Sequence, residues 1–85
     1  MPKVDPELLA IGREVRRLRR QAGLSQEELA EQSGLHTNYI GGIERGERNV
    51  GIKALLCLAR ALDLHPSEML AGIPNDGSGK TEPEG

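Results

Sequence analysis

The side chains able to do chemistry gather in one stretch. Gln26, Thr37, Asn38, Tyr39, Arg45, Arg48 and Asn49 bring amides, hydroxyls and guanidinium groups into an otherwise aliphatic middle of the chain. Their chemistry is recognition by hydrogen bonding. An asparagine can bond adenine in a bidentate way, and a threonine can meet a base edge or a thymine methyl. Arginine, glutamine and backbone N–H groups suit phosphate. The reactive residues make a poorer set. Cys57 with His65 is a thiol–imidazole pair on paper. Cys57, however, falls mid-helix among apolar residues, where a buried thiol is inert. His36 and His65 each precede a helix start. One cysteine and two histidines on separate elements have no metal-ligand spacing. There is no phosphate loop and no dinucleotide glycine motif. Neither an enzyme nor a cofactor is expected.

Two short helices must position these groups. Ser25 can cap the first, with Glu28 reaching back to close a capping box. Leu29 and Ala30 start its buried face. Gly34 stands where that helix, 26–33, must stop, and a stop of this kind needs a residue that accepts positive φ. Leu35 plugs the turn. The next helix runs over about 37–45. A helical wheel puts His36, Tyr39, Ile40 and Ile43 towards the core, and Thr37, Asn38, Gly41, Gly42 and Arg45 outward. Gly46 ends it. Ala30 is small where two helices would meet steeply. This order of small residue, turn glycine and aliphatic anchors suits a helix-turn-helix with its second helix proud of the body.

The glycine pair departs from good helix design. Two mid-helix glycines cost about 2 kcal/mol against alanine. Two accounts stand: a close backbone approach to DNA or to another helix, or a weak helix carried by tertiary packing.

The motifs Leu24-Ser25-Gln26-Glu27-Glu28-Leu29-Ala30, Ser33-Gly34-Leu35 and Tyr39-Ile40-x-x-Ile43-Glu44-Arg45-Gly46 resemble the Cro/C1-type helix-turn-helix domains of phage repressors and bacterial xenobiotic-response-class regulators. The resemblance covers about residues 8–72. It implies an all-α, five-helix, lambda-repressor-like fold with the helix-turn-helix at helices two and three. It implies a sequence-specific regulator that binds double-stranded DNA as a homodimer on a palindrome. Thr37, Asn38 and Gly41 are then expected at bases, and Gln26, Tyr39, Arg45, Arg48 and Asn49 at phosphates. A helix-one arginine joined to the glutamate of Ile-Glu-Arg-Gly is implied too, here Arg19 with Glu44. The small size, with Tyr39 to Gly46 and Arg48-Asn49, resembles the autoregulatory controller proteins of restriction–modification systems. The rival reading keeps the fold but makes it an antitoxin-like module that binds protein.

Charge bears on that choice. The 85 residues carry a formal net charge of −2. Asp76, Glu82 and Glu84 against Lys80 place that excess in residues 74–85, which read as a disordered acidic tail after a domain at 1–73. The domain itself is neutral, with Arg13, Arg16, Arg17, Arg19 and Arg20 clustered against Glu14. A local basic face matters more for DNA than the whole-chain sum. The outward arginines are either a solvated face or a flank that touches phosphates. One cysteine suits a reducing compartment, and no apolar run is long enough for a signal peptide or a membrane span; the expectation is a cytoplasmic protein without a small-molecule effector.

The flanking helices form the frame. Residues 1–4 read as frayed. Asp5-Pro6-Glu7 reads as a helix start, and Leu8, Ile11, Val15, Leu18 and Ala22 recur at helical spacing until Gly23 ends that helix. The fourth helix, about 52–62, carries a main stripe of Ile52, Leu55, Leu56, Ala59 and Leu62, with a weaker apolar face of Ala54, Cys57, Leu58 and Ala61. Asp63 follows where a glycine would be easier. His65-Pro66-Ser67-Glu68 opens a fifth helix, closed by Gly72. A fourth helix apolar nearly all round is buried on more than one side. A dimer interface is expected at Cys57, Leu58, Ala61, Leu64, Met69, Leu70 and Ile73, unless helix five simply covers helix four.

Overall fold

The computed structural model describes residues 5–73. The expectations for residues 1–4 and for the tail at 74–85 lie outside the described residues. Five helices follow in order: α1 Pro6–Gln21, α2 Gln26–Ser33, α3 Thr37–Glu44, α4 Ile52–Ala61 and α5 Pro66–Leu70. The described residues contain no strand. No described helix is long and apolar enough to cross a membrane.

The helix ends follow their local chemistry. The Asp5 carboxylate accepts from the N–H groups of Glu7 and Leu8, and Pro6 sits at the first helical position. Ser25 and Glu28 close a reciprocal capping box on α2. His65 and Glu68 do the same for α5. Gly34 stops α2 at φ 79°. The turns after α1 and α3 are built alike. Leu24 N–H donates to the Arg19 carbonyl and Gly23 N–H to that of Arg20; Glu47 N–H donates to Gly42 and Gly46 N–H to Ile43. This paired closure needs a left-handed residue, supplied by Gly23 and Gly46, both at φ 77°. The same closure after α4 places Asp63 at φ 60°.

Val15, Leu18, Leu29, Ala30, Ile40, Ile43, Leu58, Ala59, Leu62 and Met69 form the core. α3 packs on α1 and α2, α2 on α4, and α5 on α1 and α4. Gly12 makes the α1–α3 contact possible. A Cβ there would lie 2.7 Å from the Glu44 carbonyl oxygen and press on that of Ile43 too.

Three expectations change. Ala22 is exposed, because it is the cap of α1 rather than part of its stripe. His36 is exposed as the residue before α3 and makes no side-chain cap. In α4 the buried face combines Leu55, Ala59 and Leu62 of the expected main stripe with Leu58 of the other. Leu58 is fully buried, while Ile52 is 72% and Leu56 40% exposed. Leu58 shares its face with Leu55, Ala59 and Leu62, and the first turn of α4 runs beyond the core.

Candidate nucleic-acid interface

α3 is held from behind by a charged cluster. Arg19 Nε donates to Glu44 Oε2 at 2.7 Å and Nη2 to Oε1 at 3.0 Å. Its Nη1 donates to the Leu24 carbonyl at 2.8 Å, in the turn between α1 and α2. Gln26 Nε2 donates to Glu44 Oε1 at 3.0 Å. One carboxylate therefore joins α1, α2 and α3. Burial pushes the Glu44 carboxyl up, but the hydrogen bonds from Arg19 and Gln26 and the charges of Arg19 and Arg16 outweigh it, so its pKa lies below the usual range. Among the described residues every buried side-chain nitrogen and oxygen has a partner.

The outer side of α3 is open at its start. Asn38 is exposed and Thr37 half-buried, both in the first turn. Tyr39 is half-buried, and its hydroxyl donates to the Asn49 carbonyl at 2.9 Å. That bond fixes the loop after α3, which carries the exposed Arg48 and Asn49 side chains. Arg45 is exposed and pairs with Glu47 at 3.1 Å.

Two expected contacts change character. Gly41 and Gly42 are buried, not outward. Arg45 Nη1 and Gln26 Oε1 lie 3.0 and 3.7 Å from where a Gly41 Cβ would stand. The Arg48 stem crosses Gly42, with Cγ 2.6 Å from the equivalent point. Within the chain, Arg45 with Gln26 of α2 covers Gly41, and Arg48 covers Gly42. Gln26, expected at a phosphate, spends a side-chain N–H on Glu44. Its backbone N–H in the first turn of α2 remains the donor without an intrahelical partner.

On α1, Arg13, Arg16, Arg17 and Arg20 are exposed. Arg17 is engaged by Glu14 at 2.6 Å and by Gln21 at 3.1 Å. Glu14 is a buried acid that sequence reading passed over. The hydrogen bond from Arg17 holds its carboxyl below the usual range despite burial. A Cβ at Gly72 would lie 2.7 Å from its carboxylate carbon, so the close α1–α5 approach was readable only from that glycine.

The expected dimer surface is also revised. Leu58 and Met69 are buried in the core and cannot meet a partner; Ala61 and Leu64 are half-buried and pack against it. Cys57 and Ile73 are half-buried, and Leu70 is 46% exposed. Ile52 and Leu56, one turn apart on α4, are exposed apolar residues outside the expected set.

Residues 15–69 match the model of the helix-turn-helix family. The control protein C.SmaI of Serratia marcescens is 48% identical over 64 residues, covering 73% of this chain and 76% of that protein. The crystal structure of the restriction–modification controller protein C.AhdI from Aeromonas hydrophila superposes with a TM-score of 0.75 at 49% identity, covering 76% of this chain and 98% of that one. The C.Esp1396I controller tetramer, in complex with its natural 35 base-pair operator, gives 0.73 at 31% identity, covering 79% of this chain and 88% of that one. With α2 and α3 in this arrangement and relatives of this closeness, the chain belongs to the Cro/C1-type helix-turn-helix family.

Proposed function

We propose that the protein is a sequence-specific, DNA-binding transcriptional regulator of the restriction–modification controller kind, acting as a homodimer on a palindromic operator and controlling its own gene. The observation that carries this is the construction of α3: braced behind by Arg19, Glu44 and Gln26, open in front at Thr37 and Asn38. A helix so braced can enter a major groove with its N-terminal residues at base edges. Asn38 and Thr37 read bases. Arg48, Asn49, Arg45 and the Gln26 backbone N–H hold phosphates, with Tyr39 fixing the loop.

A monomer presents one α3 and reads only a few base pairs. A two-fold dimer places two such helices about 34 Å apart, one DNA turn. The exposed apolar residues of α4 and α5, Ile52, Leu56 and Leu70, suit an isologous patch. The relative seen on its operator supports the same mode of action.

The test is a gel-shift titration with duplex from upstream of the protein's own gene, against shuffled duplex of equal length. Preferential retardation of the upstream duplex is expected. Equal, salt-sensitive binding to both would remove the sequence-specific reading, and no binding at low salt would favour a protein partner instead.

A further inference from the structure

The glycine pair in α3 is the feature that DNA reading alone does not use. Gly42 lies on the side of α3 opposite Ile40 and Ile43, yet it is buried. The cover is the Arg48 stem: Cγ, Cβ and Cδ lie 2.6, 3.6 and 3.7 Å from where a Gly42 Cβ would stand. The chain returns to α3 because Gly46 turns it there, with Glu47 N–H bonded to the Gly42 carbonyl. The loop is fixed on its far side by the bond from Tyr39 to Asn49. Arg48 thus has a seat and two anchors, and the seat exists because residue 42 has no side chain. Any methyl there meets the middle of the arginine stem, not its free end, so the whole side chain must move.

We propose that Gly42 is a positioning residue for Arg48, holding the guanidinium where it meets a DNA phosphate. This rests on the reading that Arg48 is a phosphate contact. An arginine laid in a fixed groove loses less rotamer freedom on binding than one that waves in solvent. The poor helix propensity of glycine is tolerated for that gain.

The test compares wild type, Gly42→Ala, Arg48→Ala and the double variant by fluorescence anisotropy, on upstream and shuffled duplexes over a salt series. Each protein is held where circular dichroism shows it folded. Helix propensity favours the alanine and displacement of the Arg48 stem opposes it, so each variant is titrated well below its own thermal midpoint. Both single variants are expected to weaken both duplexes alike, and to lower the slope of log affinity against log salt by about 0.9. The double variant is expected to lose no more than either single one. In the free protein, Gly42→Ala should shift the Arg48 Nε–Hε resonance. The proposal is overturned if Gly42→Ala keeps the wild-type slope while Arg48→Ala lowers it, or if the resonance does not move. It is also overturned if the two losses multiply, since the methyl then obstructs DNA by itself. A wild-type slope for Arg48→Ala would remove the phosphate reading, and the proposal with it.

Discussion

Arg19 on α1 grips Glu44 at the end of α3 with two parallel hydrogen bonds of 2.7 and 3.0 Å, and both side chains are almost wholly buried. Taking one partner from a buried pair leaves the other charge without compensation, a loss of about 3–5 kcal/mol. Arg19→Ala should therefore lower the urea midpoint sharply, and Glu44→Gln, which keeps the shape, somewhat less. An unchanged midpoint in both variants would show that the pair contributes nothing net.

The same carboxylate sets a pH dependence. Its folded pKa lies below its ordinary value. Its stabilisation is then fully present above the usual carboxylate range and is lost as pH falls through the depressed folded value. The stability gap between wild type and Glu44→Gln should be widest near neutrality and shrink on acidification. Urea unfolding at a series of pH values measures it; a gap that stays constant contradicts this account.

Asp63→Gly should stabilise the domain. A non-glycine residue at φ 60° is disfavoured by up to about 1 kcal/mol for Asp, and its charge also sits at the negative end of α4. A gain of that size raises the thermal midpoint by ~5 °C in a domain of this length. Asp63→Ala separates the causes, because it removes the charge and keeps the strained backbone. Equal gains from both would assign the effect to charge.

Leu56→Asp and Ile52→Asp should separate the dimer without unfolding the chain. Sedimentation over a concentration series is expected to show monomers, with weaker operator binding and little change in helicity. Met69→Asp is a different probe. Met69 is 2% exposed, so a carboxylate there disrupts the core. A wild-type mass for both α4 variants at every concentration would place the interface elsewhere.

Asn38→Ala should change which base pair is preferred at one operator position, by about 1–3 kcal/mol, with little effect on shuffled DNA. Arg48→Ala should weaken every sequence alike. If the two variants behave identically on target and shuffled duplexes, Asn38 is not a base reader.

Much of this fold was legible because helix ends are local. Asp5, Ser25 with Glu28, Gly34 and Gly46 act on the backbone within a few residues, and no tertiary context alters them. The apolar stripe of α1 through Val15 and Leu18, and that of α2 at Leu29 and Ala30, were readable from their spacing. The α4 face was not: with Ile, Leu, Ala and Cys on most sides, its periodicity cannot say which side meets the core, and Leu58 took the place expected for Ile52 and Leu56. The burial of Gly42 was hidden because its cover, Arg48, returns from beyond the turn at Gly46, and that of Gly41 because Arg45 and Gln26 fold over it. The burial of Glu14 was hidden because the close approach of Gly72 depends on the packing of α5.

Gly12 lets α1 rest directly on the carbonyl end of α3, and Ile40, Ile43 and Glu44 complete that attachment. Thr37 and Asn38 stand at the opposite end of α3. The protein therefore separates the residues that mount α3 from those that would choose a sequence. On the proposed reading of residues 37 and 38, exchanging them should yield folded proteins with new targets, whereas grafting a whole foreign helix would carry away the mounting.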